Sequence, residues 1–403
     1  MTMRRRRDAL ALILLAPILG LLTYALRQGF TARVPGGNDL YPRWAAGCEW
    51  LTDGIDPYSA EATVRIQEGI YGRPAKVGED QAAFAYPVYT VLLTWPLCLT
   101  GDFSTVHAVA IIALLVCVVA TAVLGRQVSG WAPPVWLWIW TLIWIVLMYS
   151  TVRAILLGQL ALVVALLQVG ALEALHRRRD GLAGALLALS TVKPQMGLLI
   201  VPFLLFWGAA RRRGSLLSAF AVSLGLLIVV PMIWLPTWPS SWLAQLAEYT
   251  GYTEFGSATW ILTTHLMGSP RALEAILTAG LLVWFVIEAW RARRRSFEPM
   301  LWTAALAIVL THFVSPRTAT THFTPLLLPA FMLLRAVQLP DRGRGTLVVA
   351  VVLPVVAVLS WAIFLLTVEG RQESALNYLP LPVGLLLALL WLRRPWLRLT
   401  GAI

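Results

Sequence analysis

Lysine is nearly absent from this 403-residue chain, where two lysines stand against thirty arginines. Charge of any kind is scarce, at 13% of residues, while 59% are hydrophobic and mean hydropathy is +0.74. A soluble domain of this size could not hide so much apolar surface. The apolar runs also lack period-2 alternation, which excludes a transmembrane β-barrel. Cysteine is limited to Cys48, Cys98 and Cys117, with no metal-ligand spacing. Two of the three sit in apolar stretches, so packing is their expected role. No internal repeat is visible, which weighs against an inverted-repeat transporter.

What is present is a series of apolar runs: Ala9–Leu26, Val106–Leu124, Leu216–Leu235, Leu273–Trp290 and Leu347–Val368. Each approaches the ~20 residues that a helix needs to cross the hydrocarbon core. The net charge of +12 suggests nucleic-acid binding, but the placement of the arginines argues against it. They cluster between apolar runs, at Arg4–Arg7, Arg177–Arg179, Arg211–Arg213, Arg293–Arg295 and Arg393–Arg394. That is the positive-inside pattern of cytoplasmic loops. The N-terminal run is long and no Ala-x-Ala cleavage site follows it, so it reads as a retained first span and not as a signal peptide.

With the N-terminus inside, spans are expected at 9–27, 104–125, 131–149, 158–175, 215–235, 271–292, 299–314, 322–338, 346–368 and 378–393. Residues 28–85 form a long outer segment, and 86–100 are too short and proline-interrupted to cross, so a re-entrant or interfacial course is expected. Residues 181–210 run from one arginine cluster to the next. The chain must leave and return within ~30 residues, and at 1.5 Å per residue neither arm is a full crossing. The charges agree with this course: 21 of the 32 Lys+Arg fall inside, and 14 of the 20 acids fall outside. The sequence thus predicts an all-α, polytopic membrane protein with about 12 crossings, a single domain over 1–403, a re-entrant segment and amphipathic helices on the outer face.

Candidate chemistry concentrates at the outer side. From Tyr41 to Thr52, Trp44, Cys48 and Leu51 share one helical face, as in an amphipathic helix lying on the membrane. Asn38 or Asp39 would cap its start, so Asp39 is a cap or a functional carboxylate. Asp56, before Pro57, reads as a cap with proline at the first helical position. Asp53 and Asp56 could share a divalent metal, although a turn is the simpler account; no cofactor is indicated. Arg153, Gln159, His265, His312, Ser315, Arg317 and His322 lie at the outer ends of spans. Lys193 is the sharpest single residue, an ionisable group at membrane depth and therefore either functional or snorkelling to the interface. Pro194 frees backbone groups beside it, which is tolerable only against a protein-lined cavity. An outward-open cation there suits a phosphate.

Several short motifs follow one another in register with these spans. They are Gly37–Asn38–Asp39–Leu40–Tyr41, Gly54–Ile55–Asp56–Pro57–Tyr58, Phe84–Ala85–Tyr86–Pro87, Leu157–Gly158–Gln159 and Thr191–Val192–Lys193–Pro194–Gln195. Ser315–Pro316 and His322 then precede the Leu-Leu-Leu-Pro stretch Leu326–Pro329. In this order the chain resembles glycosyltransferase family 87, polyprenyl-phosphate-mannose-dependent mannosyltransferases of the GT-C superfamily. It departs at Val88, where a second proline is common, at Leu160–Ala161 after the Gly-Gln pair, and in the aromatic-poor loop Arg317–Thr321.

The resemblance implies transfer of a sugar from a polyprenyl-phosphate donor to a hydroxyl of a glycolipid or glycan acceptor, with inversion, on the outer face of the plasma membrane. It implies Asp39 as the base, Lys193 and Gln159 at the donor phosphate and sugar, and Arg153, Arg317 and His322 as further donor contacts. Asp56, Tyr86 and His265 are additional candidates. No P-loop or nucleotide-sugar fold is present, as expected for a lipid donor. The alternatives are a transporter or flippase of a lipid-linked sugar and a non-catalytic assembly subunit, though a transporter has no need of the long acidic outer segment.

Overall fold

The computed structural model describes residues 17–34, 36–76, 78–252, 256–370 and 373–399, so the start of the expected first span lies outside the described residues. Its elements are all helices. Residues 17–26 are helical and pass into a π-turn, Arg27–Thr31. The segment expected outside forms α1 (Tyr41–Asp53) and α2 (Ala60–Tyr71), followed by the long α3 (Phe103–Ser129). Then come α4 (Val135–Leu147), α5 (Tyr149–Leu156), α6 (Ala161–His176), α7 (Asp180–Leu189) and α8 (Ile200–Ala210). The chain continues through α9 (Gly214–Met232), α10 (Trp238–Tyr252), α11 (Arg271–Ala292) and α12 (Phe297–Val314). It ends with α13 (Leu327–Gln338), α14 (Arg342–Thr367) and α15 (Pro380–Leu399).

Among the described residues, six helices are long and apolar enough to cross a membrane, or seven if the α4–α5 pair, bent by 56°, is one span. The crossings expected at 158–175 and 322–338 are shorter helices, α6 of 16 residues and α13 of 12. Each is cut short at its start, α6 by the Gly158 turn and α13 by the 3-10 turn Thr324–Leu326 that carries Pro325. Unwound backbone of this kind is tolerated at membrane depth where protein encloses it. The predicted hairpin also forms. Its arms, α7 and α8, have 10 and 11 residues and reverse at Lys193, between two 3-10 turns.

At the centre is α12, in which every residue from Pro299 to Val314 is buried. A helix apolar on all sides belongs inside a bundle. By contrast α9, α11 and α14 expose long apolar rows, including Val222, Leu226, Ile276, Val283, Val351 and Leu366, which suit a lipid-facing rim. The hairpin is pressed onto α9 at Gly184, where a Cβ would stand 2.4 Å from the Leu216 carbonyl oxygen. Such small-residue contacts let helix backbones approach in membranes.

The arginine-bearing loops meet at one end of the bundle. Arg213 donates to Asp180 at 2.9 Å, Arg211 to the Arg294 carbonyl at 2.8 Å, Arg335 to the Ser129 carbonyl at 2.8 Å, and Arg393 pairs with Glu288 at 3.0 Å. Each contact joins segments that the charge pattern assigns to one side.

The segment 28–100 departs from expectation in three details. Cys48 and Cys98 form a disulfide, not merely packed thiols; their separation of 50 residues gave no local signal. Of the α1 face expected on the membrane, Leu51 is exposed, while the Trp44–Cys48 part is turned onto protein. Trp44 packs on Tyr41 and Phe103 and donates to the Leu97 carbonyl at 3.0 Å, so this face is docked on the 86–100 segment. Residues 86–100 are three short helical pieces, Val88–Thr90, Val91–Thr94 and Trp95–Leu99, consistent with a non-crossing course. Finally, Ser59 caps α2 by accepting from Ala62 N at 3.1 Å, while Asp56 accepts from Tyr58 N at 2.8 Å in a turn around Pro57. The cap assigned to Asp56 therefore belongs to Ser59, because the turn carries the chain three residues further before the helix starts.

Candidate functional site

Three separate stretches of chain converge at the end of the bundle opposite the arginine loops. The first is the segment leading into α1. The start of α1 is Leu40, with no side-chain cap, so Asp39 is not used as one. Instead Gly37 N and Asp39 N donate to the carbonyls of Leu156 and Leu157, at 3.0 and 3.1 Å, laying this segment along the end of α5. His107 braces the same place, with Nε2 2.9 Å from the Leu156 carbonyl and its ring stacked on Phe103.

The second stretch is the turn between α5 and α6. Gly158 has φ +71°, and a Cβ there would stand 2.5 Å from the Leu40 Cβ. Only glycine satisfies both the left-handed backbone and the close approach. The turn delivers the Gln159 amide to Asp39, with Nε2 donating to Oδ2 at 2.5 Å.

The third stretch is the hairpin reversal. Gln168 on α6 donates to the Met196 carbonyl at 3.1 Å, and the Tyr89 hydroxyl lies 2.9 Å from Thr191 Oγ1. Held from both sides, the reversal aims Lys193, 2% exposed, so that its Nζ donates to Gln159 Oε1 at 2.6 Å. A continuous chain Lys193–Gln159–Asp39 results. The charges at its ends dictate the amide orientation, since a flipped Gln159 would set NH2 against the ammonium and C=O against the carboxylate. Gln159 is buried and Asp39 half-buried, so the carboxylate remains reachable.

Tyr86 stands on the same cluster. Its ring is flanked by two cations, the Arg43 guanidinium 4.1 Å and the Lys193 Nζ 5.9 Å from the centroid, and its hydroxyl hydrogen-bonds Arg43. Burial alone would raise the pKa of this phenol, but Arg43 and Lys193 outweigh it and hold the value below that of an ordinary tyrosine. The Tyr86 carbonyl accepts from the Tyr58 hydroxyl at 2.6 Å, fixing the loop to the Asp56–Pro57 turn.

The remaining candidates fall into two neighbouring groups. A narrow cavity is lined by Gln195, Met196, His312, Ser315, Arg317 and His322. His322 is within electrostatic reach of Lys193 and Arg43, and the Arg317 guanidinium lies 6.0 Å from the Tyr249 ring centroid. Arg153 instead forms an ion pair with the buried Glu373 and donates to Thr320 at 3.3 Å. Burial pushes the Glu373 carboxyl up, opposed by Arg153 and by the hydroxyls of Thr320, Tyr149 and Tyr378. Arg153 therefore carries its own counter-ion. His265 is exposed and stacks on Trp260, at 5.6 Å between centroids. No described contact joins it to the cluster. Among the described residues, no three His, Cys, Asp or Glu side chains gather as metal ligands.

Sequence reasoning did not find Arg43 or Glu373. Arg43 reads as one of many arginines on a polar helix face. Glu373 is 220 residues from its partner, so no spacing could have signalled the pair.

The order of these elements can be compared with known proteins. No curated protein and no solved structure matches the chain. The model of glycosyltransferase family 87 matches residues 84–316, a stretch that includes Tyr86, Gln159 and Lys193 and begins after Asp39. That match covers more than half of a polytopic helical chain whose paired carboxylate and buried ammonium sit at one end of the bundle; the chain belongs to glycosyltransferase family 87, and is a membrane glycosyltransferase.

Proposed function

We propose that this glycosyltransferase moves mannose from a polyprenyl-phosphate donor to a hydroxyl of a glycolipid or glycan acceptor, with inversion, at the outer face of the plasma membrane. The observation that carries the proposal is the chain of hydrogen bonds from Asp39 through Gln159 to Lys193. Transfer needs a carboxylate for the acceptor's proton and a cation for the departing phosphate. One bridging amide holds both, and it orients Asp39 through Oδ2 while Oδ1 takes no part in that bond. As the acceptor oxygen bonds to the anomeric carbon, its proton passes to Asp39. The bond from that carbon to the phosphate oxygen breaks, and its electron pair leaves with the polyprenyl phosphate beside Lys193, Arg317 and His322. Attack opposite the leaving oxygen inverts the anomeric centre.

The depth of Lys193 between two half-length helices suits a donor whose phosphate lies at the membrane surface and whose chain stays in lipid. The arginine loops gathering at the opposite end support a site facing outside, with both termini cytoplasmic. Family membership favours transfer over the transporter and assembly-subunit readings. The direct test incubates purified protein in liposomes with labelled polyprenyl-phosphate mannose and membrane acceptors. Label should pass to an acceptor with inverted configuration. Use of a nucleotide-linked mannose, with none from the lipid donor, would refute the proposal.

Gly158 offers a test of the geometry. Gly158→Ala forces the turn away from Leu40 and shifts Gln159 relative to Asp39. A displacement of about 1 Å can cost ~10²-fold in rate, so transfer should fall about that far while the protein still extracts and purifies as a folded species. Near-normal transfer by this variant would show that the Asp39–Gln159 contact is dispensable.

A further inference from the structure

Arg43 is a permanently charged side chain that is 4% exposed, yet its Nε and Nη1 have no hydrogen-bond partner among the described residues. Its one side-chain hydrogen-bond partner among the described residues is the Tyr86 hydroxyl, which is not a full counter-ion. Buried guanidinium groups are normally paired, because leaving their donors unsatisfied carries the whole desolvation penalty. Its position on α1 is also unfavourable by itself. It lies in the first helical turn, three residues after Leu40. The helix macrodipole there favours acids; the turn itself holds none, and Asp39, one residue before the Leu40 cap, is engaged by Gln159. Two independent features, the unpartnered fork and the acid-free N-terminal turn, therefore call for an anion at the same place.

The neighbourhood shows which anion. Lys193 is already linked to the Asp39 carboxylate through Gln159, whereas Arg43 has no such link. Arg43 and Lys193 flank the same Tyr86 ring. Asp39 and Asp80 are both within electrostatic reach of this cluster, but among the described residues neither forms an ion pair with Arg43. A fork with two free N–H groups beside a point-like ammonium matches a tetrahedral phosphate, with the guanidinium reading two oxygens and the ammonium a third.

We propose that Arg43 is a donor-binding residue that grips the phosphate of the polyprenyl-phosphate sugar jointly with Lys193 across Tyr86. This rests on the lipid-phosphate donor reading above. It makes the phosphate, and not only the polyprenyl chain, the feature by which the site recognises its donor. It also assigns Tyr86 as the spacer that keeps two like charges apart until the phosphate arrives.

The test compares binding of a polyprenyl phosphate with that of the corresponding polyprenol, in nanodiscs holding the full chain, for wild type, Arg43→Gln and Arg43→Lys. Wild type should prefer the phosphate. Arg43→Gln should weaken phosphate binding by about 10- to 100-fold and leave polyprenol binding unchanged. Arg43→Lys, which keeps the charge but loses the fork, should fall between the two. A merely structural role for Arg43 would weaken both lipids together and overturn the inference. So would full phosphate preference in both variants, which defeats this inference while leaving the lipid donor intact. If wild type itself does not distinguish phosphate from alcohol, the donor reading fails along with it.

Discussion

Asp39→Asn should abolish practical turnover while leaving the donor bound. The asparagine side chain is nearly isosteric, and its carbonyl can still accept the hydrogen bond that Gln159 Nε2 gives to Asp39 Oδ2 at 2.5 Å. What is lost is the ability to take a proton. General-base removal typically costs ~10²–10⁴-fold, so kcat should drop by about 10³-fold with little change in KM for the lipid donor. Asp39→Glu should not restore the rate, since the extra methylene pushes the carboxylate past the position that Gly37, Gly158 and Leu40 set for it. The measurement is single-turnover transfer from labelled donor. Retention of more than about a tenth of the rate would show that another group takes the proton, and Asp39 would revert to a structural carboxylate.

Lys193→Met should have the second-largest effect, of a different kinetic kind. The substitution keeps the apolar stem and removes the ammonium from a position 2% exposed. Two things follow. The departing phosphate loses its nearest proposed cation, and the Gln159 carbonyl loses its donor at 2.6 Å, so the amide no longer has a fixed orientation toward Asp39. Removing one such transition-state stabiliser costs ~10²–10³-fold. We expect kcat/KM to fall by that order, with weaker donor binding as well as slower chemistry. Lys193→Arg should not rescue it, because the planar fork does not fit a pocket already occupied by Tyr86 and Arg43. Wild-type kcat/KM in Lys193→Met would remove Lys193 from the site and leave it as a snorkelling lysine.

These two residues show how unevenly the site was readable. Lys193 stood out because an ionisable group at membrane depth is costly and lysine is otherwise almost missing from the chain. Asp39 did not stand out from Asp56. Both preceded helical stretches and either could be a cap, and only the family resemblance singled out Asp39 as the base. The structure separates them: Asp56 turns the backbone around Pro57, while Asp39 leaves the helix start uncapped and reaches Gln159. Arg43 was hidden by abundance and Glu373 by distance along the chain. Cys48 and Cys98 looked like packing residues because apolar surroundings say nothing about which thiol faces which.

The sequence alone determined that this is an all-helical chain immersed in a bilayer, and it placed most of the long helices within a few residues. It also foretold the half-length arms around Lys193–Pro194. Those properties are local. Hydropathy summed over a span and arginines counted between spans suffice, because a bilayer acts on each helix separately. Only the tertiary structure decided that Asp39, Gln159 and Lys193 touch, across separations of 120 and 34 residues. It likewise decided that Arg153 is occupied by Glu373 and that, among the described residues, no carboxylate pairs with Arg43. Such pairings depend on how closely helices approach, at contacts such as Gly158 on Leu40 and Gly184 on Leu216. No pattern along a single helix encodes that approach, because the space a glycine leaves open is filled by a residue from elsewhere in the chain.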